Sequence, residues 1–100
     1  MLTPRQFKAT PAALATVYTV TASQKGIVKG LTVHNAAAAP CTFTLNIFGI
    51  EIYTDRTLGP YETFECASAI NKIGYAGDTI AITPSAQVNV LGSAIETPAT

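Results

Sequence analysis

Histidine and cysteine are the side chains of this 100-residue chain best suited to nucleophilic or metal chemistry. His34 is the sole histidine, and Cys41 and Cys66 are the two cysteines. A thiolate beside a histidine makes a nucleophile, but no residue flanking these three indicates an activated thiol. One histidine and two cysteines at scattered spacing also do not match the ligand spacing of a zinc site. We therefore expect neither a catalytic residue nor a metal ligand among them.

Carboxylates offer no second route to catalysis in this sequence. General acid–base catalysis and calcium binding both need several oxygen groups brought together. The glycines occur singly, so no phosphate-binding loop is present. The sequence therefore predicts a protein that is not an enzyme and that has no cofactor. The acidic residues, scattered over different segments, are Glu51, Asp55, Glu62, Glu65, Asp78 and Glu96.

Aromatic side chains outside the predicted core suggest contact with other macromolecules. A tyrosine ring is apolar while its hydroxyl can stay hydrogen-bonded, which favours tyrosine at protein interfaces. A carbohydrate platform is the alternative, although the chain has no tryptophan. The aromatic residues predicted to lie at exposed contact positions are Phe48, Tyr53, Tyr61 and Tyr75.

Low charge limits the classes of partner. Charged residues make up 12% of the chain, and the formal net charge is zero. A nucleic-acid binder would need a basic face, so nucleic acid is not expected as a partner. No apolar run approaches the length of a membrane span, and the N-terminal residues lack the apolar core of a signal peptide. A weakly charged protein has little electrostatic protection against self-association, which suits a subunit of an assembly, including a homo-oligomer.

Short alternating segments between turn residues predict an all-β fold, a compact antiparallel β-sandwich of jelly-roll type. The clearest alternation places Cys41, Phe43, Leu45 and Ile47 on one face. Cys66 is also predicted to point inward, and both cysteines are expected as buried thiols, with a disulfide as the alternative. The predicted strands are 16–21, 27–35, 41–48 with an extension over 50–53, 61–67, 79–83 and 87–96, with turns at 54–60 and 71–78. The predicted core residues are Leu31, Val33, Phe43, Leu45, Ile47, Phe64, Ile80, Ile82, Val88 and Val90.

The domain is predicted to span residues 16–96, between an N-terminal arm at 1–15 and a loose tail at 97–100. Pro4 and Pro11 exclude a continuous helix in the arm. An extended arm could add a strand to a partner, and a frayed terminus is the alternative. The residues of the arm predicted to contact a partner are Leu2, Arg5, Phe7 and Lys8.

Five further segments are distinctive, and they are LATVYTV at 14–20, GIVKGLTVHN at 26–35, LGPYET at 58–63, AGDTI at 76–80 and VNVLGSAIE at 88–96. Together they resemble small virion proteins of tailed bacteriophages. One departure is the turn at 21–24, where relatives often carry Pro-Ala-Gly. The resemblance implies an antiparallel sandwich with a structural role, localised to the virion and assembled in the host cytoplasm.

The expected function is therefore that of a capsid decoration or cement protein whose partner is the major capsid protein. Two alternatives remain. One is a tail, baseplate or neck subunit, and the other is a module that binds a host receptor or glycan through exposed tyrosines.

Overall fold

The computed structural model describes residues 2–99, and Met1 and Thr100, the ends of the predicted arm and tail, lie outside them. Nine strands and one 3-10 helical turn make up the described chain. Among these residues, no helix has the length and hydropathy needed to cross a membrane. The strands are β1 (Thr3–Ala9), β2 (Ala15–Thr19), β3 (Gln24–His34), β4 (Cys41–Ile47), β5 (Ile50–Leu58), β6 (Thr63–Glu65), β7 (Ile73–Tyr75), β8 (Thr79–Pro84) and β9 (Asn89–Pro98), with the helical turn at Ala67–Ala69.

The strands form two antiparallel sheets in the order of a jelly roll. One sheet has the order β1-β9-β3-β6, with β7 also paired to β3, and the other has the order β2-β8-β4-β5. The antiparallel pairs are nested, because β1 pairs with β9, β2 with β8, β3 with β6 and β7, and β4 with β5. Nested pairs of this kind arise when one long antiparallel hairpin folds over and its strands are divided between two layers. The predicted all-β antiparallel sandwich is confirmed.

The hydrophobic core lies between the two sheets, and it contains the predicted residues. Phe64 differs from the other predicted core residues because it is only half-buried, at the side of the core. Cys41 and Cys66 are buried and are free thiols. The largest fully buried apolar side chains are Phe43, Leu31, Leu45, Leu58, Ile80, Ile82, Val20, Val28, Val33 and Val88.

A bulge in β3 changes which side chains face the core. The pairing with β9 shifts between Val28 and Gly30, so Val28 points inward before the bulge and Leu31 points inward after it. Simple alternation would have placed Ile27 on the same face as Leu31. The extra residue reverses that phase, and Ile27 lies half-buried on the outer face.

The β4–β5 connection is a tight hairpin rather than the predicted bend in one long strand. Ile47 pairs with Ile50, and the two residues between them, Phe48 and Gly49, have φ angles of 53° and 87°. Two consecutive left-handed residues are typical of a turn that matches the twist of a hairpin. The chain then continues as β5 to Leu58 through the region predicted as a turn, which Asp55 bends with a φ of 46°.

The predicted arm is part of the sandwich. Residues Thr3–Ala9 form the edge strand β1, which pairs with β9 of the same chain from Thr3 opposite Glu96 to Ala9 opposite Val90. Pro4 is tolerated because β1 has a neighbour on one side only. The arm prediction was wrong because Phe7 is the one large apolar residue of β1 that faces inward, and a single residue shows no alternation.

The predicted tail boundary is also different. Strand β9 continues to Pro98, and the amide of Ala99 donates a hydrogen bond to the carbonyl oxygen of Ser23 at 3.1 Å. Residues 97–99 are therefore held against the start of β3. The β7 strand, Ile73–Tyr75, likewise replaces part of the loop predicted at 71–78.

Candidate functional site

Cys41, Cys66 and His34 were the first residues considered for nucleophilic or metal chemistry. In the structure they pack or pair within the fold. Burial raises the pKa of both thiols, and that of Cys66 reaches about 12, so both are protonated at neutral pH. His34 Nδ1 lies 2.8 Å from the Thr63 hydroxyl across the β3–β6 pair. Within residues 2–99, no three His, Cys, Asp or Glu side chains lie close enough together to hold a metal ion.

A buried carboxylate, Glu96, holds the side of the sandwich that carries β1. Its side chain is fully buried, and Arg5 Nε donates to it at 3.1 Å from β1. The Tyr18 hydroxyl donates to its other oxygen at 2.5 Å, and the Thr21 amide donates at 3.2 Å. Burial by itself would raise the pKa of Glu96, but these hydrogen bonds outweigh burial, so its pKa is lowered. The same burial and the bond to Glu96 raise the pKa of Tyr18.

Phe7 fills a slot that glycine leaves open. A Cβ built on Gly92 would lie 2.2 Å from the Phe7 ring, so only glycine leaves room for it. The ring stacks on Tyr18 with 5.0 Å between centroids. Phe7 and Arg5, both predicted to contact a partner, bind β1 to its own sandwich. The Phe7 ring is buried and is therefore not presented to a partner, whereas the Arg5 side chain is still 46% exposed.

Tyr53 is likewise used within the fold. It packs edge-on against Phe64 and tilted against Phe43, with centroid distances of 5.3 and 6.1 Å. Its hydroxyl accepts a hydrogen bond from the Ser68 amide at 3.2 Å. Phe48, the other half-buried candidate, packs against Gly74, where a Cβ would come within 2.5 Å of its ring.

The remaining candidates are exposed, and two of them mark opposite ends of the molecule. Tyr61 and Tyr75 are 63% and 61% exposed. Tyr75 lies opposite Lys25 at the start of β3, whereas the Tyr61 loop bonds to Asn35 just after β3 ends. Ten residues of strand separate these points by roughly 30 Å. Leu2 is exposed beside β1, and Lys8 is exposed opposite Leu91.

The end of the sandwich that carries Tyr61 gathers four connections, which we call the loop end. Apart from Glu62, no residue in these connections is charged. Leu14 is 68% exposed, and the run of alanines at 36–39 is exposed as well. Leu14 and these alanines were not among the residues predicted from the sequence to lie at exposed contact positions, because nothing in the linear order brings the segments together. The four connections are 10–14, 35–40, 59–62 and 85–88.

Hydrogen bonds brace the loop end. The buried Asn35 side chain donates to the carbonyl oxygens of Ala39 and Gly59 at 2.8 and 3.0 Å, and accepts from the Ala37 amide at 3.1 Å. The Glu62 carboxylate accepts from the Gly59 amide at 2.6 Å, so its charge is engaged within the loop. Tyr61 itself donates its amide to Ala37 at 3.2 Å. The exposed ring of Tyr61 is therefore presented on a fixed backbone.

Comparison of the chain with protein-family models, with curated proteins and with solved structures found no match.

Proposed function

We propose that this protein is a non-enzymatic structural protein of a tailed-bacteriophage virion. In this proposal it is a decoration protein that docks by its loop end onto the major capsid shell. The observation that carries the proposal is the loop end itself, where four connections expose Leu14, Tyr61 and alanines with one charged residue, Glu62. Jelly rolls serve in viral shells and in lectins, so the fold alone does not choose between these roles.

The loop end has the properties of a docking surface. Burying Leu14 against a shell would contribute about 1.5–3 kcal/mol before the cost of association, and burying Tyr61 would contribute a similar amount. The side-chain hydrogen bonds of Asn35 already hold the connections 35–40 and 59–62, so the backbone that presents Tyr61 has little conformational entropy left to lose on docking. Because few charges lie there, docking would desolvate few ionic groups. Many symmetric copies would add such modest contacts over a whole shell.

The test compares two tyrosines of nearly equal exposure. In a particle-binding assay with shells that lack the protein, Tyr61→Asp should weaken binding by about tenfold or more, because it places a charge in a desolvated contact. Tyr75→Asp, at the opposite end, is the matched control and should bind within about twofold of wild type. Equal loss of binding in both variants, or in neither, would contradict docking by the loop end.

Copy number and position in purified particles test the wider role. A decoration protein should occur in many copies over the outer capsid surface. A few copies in a ring at the neck or tail would favour a tail, baseplate or neck subunit. Binding of the isolated protein to host cells or glycans, abolished by Tyr61→Asp, would favour a receptor-binding module.

A further inference from the structure

The outer face of the five-stranded sheet carries an apolar row that crosses four strands. In the pairing register, Pro4 lies opposite Ile95, Ile95 opposite Ile27, and Ile27 opposite Ile73. Pro4 is exposed and Ile73 is 51% exposed, while the two central isoleucines are half-buried. An open sheet face that met only water would carry polar side chains at these positions.

A shallow groove adjoins this row on the same face. Its volume is about 510 Å³, and Gly30 and Ser93 lie in it side by side, so no large side chain fills it. Leu91, which is 53% exposed, lies along it. The row forms a low ridge and the groove lies beside it. A neighbouring sheet whose side chains are short could pack over both.

The charge on this face is positive, and we call it the lysine face. Lys8 on β1 and Lys25 on β3 project from it, and Lys29 is exposed at the β3 bulge. Among the described residues, Glu65, at the far edge opposite Thr32, is the acidic residue on this face. A chain of zero net charge therefore has three of its four lysines, Lys8, Lys25 and Lys29, on one side.

The outer face of the other sheet has the opposite character, and we call it the threonine face. Its charged side chains are Glu51, opposite Asn46, and Asp55, whose amide donates to the Thr44 hydroxyl at 3.0 Å. Arg56, the cation on the same strand, is turned onto the Phe64 ring with its Cζ 4.5 Å from the centroid. The short polar residues of this face are Thr16, Thr19, Thr42, Thr44, Asn46, Thr57, Thr79 and Thr83.

We propose that the occupant of the lysine face is the threonine face of a second copy of this chain. The two surfaces are complementary in charge, whereas a two-fold contact would place lysine against lysine. Threonine methyl groups could cover the apolar row while Glu51 and Asp55 meet the lysines. The Cα extents of 46 Å by 20 Å bound a face of at most about 900 Å². That is close to the roughly 800 Å² per partner of a standard interface.

Such a contact joins two different faces, so a pair of copies still has one free lysine face and one free threonine face. Contacts of this kind close into a ring or continue as an open series. The loop end lies at the end of the strands and stays free in either case, so neighbouring copies could contact side by side while each docks. The self-contact does not depend on the proposed capsid role, because it is measured on the purified protein without particles.

The experiment is sedimentation velocity over a concentration series up to about 1 mM at low salt. Wild-type protein should associate beyond a dimer, and Lys25→Glu and Glu51→Lys should each weaken association by about tenfold, because each turns an attraction into a repulsion. The double swap Lys25→Glu with Glu51→Lys should restore association. Lys72→Glu, which reverses an exposed lysine in the loop before β7, is the matched control and should behave as wild type.

Glu51→Lys also removes the hydrogen bond that Thr54 donates to Glu51. A second variant of the threonine face that keeps this bond therefore serves as a check. Thr83→Lys adds a cation at an exposed position and should weaken association as Glu51→Lys does. A wild-type protein that stays monomeric over the series would overturn the proposal. So would association that stops at a dimer and is unchanged by both Glu51→Lys and Thr83→Lys, because that result indicates a two-fold contact through the lysine face.

Discussion

The two sides of the sandwich are closed in different ways, although each uses aromatic rings and an arginine. On the β5–β6 side, Phe43, Tyr53 and Phe64 pack together, and Arg56 lies over the Phe64 ring. On the β1–β2 side, the rings of Phe7 and Tyr18 stack beside a buried carboxylate that Arg5 neutralises. The first side is held mainly by apolar contact, and the second also depends on an ionised group.

This difference separates what stabilises the whole fold from what holds one strand. The rings on the β5–β6 side contact the central core, so their loss should unfold the protein as a unit. The β1–β2 side holds an edge strand through Phe7 and Glu96, so its loss should release β1 first. Because the β1–β2 side depends on the ionised carboxylate of Glu96, it is also the side whose stability responds to acid.

Phe43→Ala should produce the largest effect. Phe43 is fully buried, and its truncation leaves a cavity between the sheets, which should lower the free energy of unfolding by about 3–5 kcal/mol. Typical domains have roughly 5–15 kcal/mol in total, so the variant would be close to unfolded. Denaturant titration at pH 7 measures the change. Thr83→Ala, on the exposed outer face, is the control and should stay within about 0.5 kcal/mol of wild type.

Phe7→Ala should produce a smaller loss that is confined to β1. Phe7 is 6% exposed, and an edge strand can move to fill the space left by its ring, so we expect about 3 kcal/mol, at the low end for phenylalanine. Hydrogen exchange should show faster exchange of β1 and nearby β9 amides while β4 stays protected. Gln6→Ala, whose side chain points outward from the same strand, is the control. Unchanged protection of β1 would show that Phe7 does not hold it.

Glu96→Gln should produce the smallest loss at neutral pH, about 1–2 kcal/mol from weakened charge-assisted hydrogen bonds. Its main effect is on the pH dependence. The pKa of Glu96 is lowered in the folded state, so its contribution is complete above the unfolded value of about 4.3 and is lost as pH falls through the folded value. Wild type should therefore lose more stability than the variant below about pH 4. Denaturant titrations at successive pH values measure this difference, and parallel curves would contradict it.

The central core could be predicted from the sequence, and the candidate site only in part. Phe43, Leu45 and Ile47 alternate with polar residues, and that period places them inward whichever strands lie beside them. Tyr61 and Tyr75 were predicted to be exposed, and they are. Tyr53 was not predicted to be half-buried. Its burial depends on contact with Phe64, which lies in the opposite sheet and is separated from Tyr53 by a loop in the chain.

Glu96 lies on the inward face of β9, and the alternation along that strand already indicated this position. Val90, Ala94 and Glu96 occupy alternate positions of β9 and all face inward, so the period already pointed the carboxylate into the core. A carboxylate is stable there only with partners, and those partners come from β1, β2 and the turn after β2. No sequence period specifies such partners.

The sequence by itself determined the strand alternation, the identity of the main core residues and the low charge, because these depend on residue type and local spacing. Only the tertiary structure decided that Thr3–Ala9 pairs with β9, that Gly92 makes room for Phe7, and that four connections meet at one end. It also decided that Lys8, Lys25 and Lys29 lie on one face and that Glu51 and Asp55 lie on the other. The physical reason is that pairing and register bring together residues far apart in the chain, and neither is fixed by any single strand.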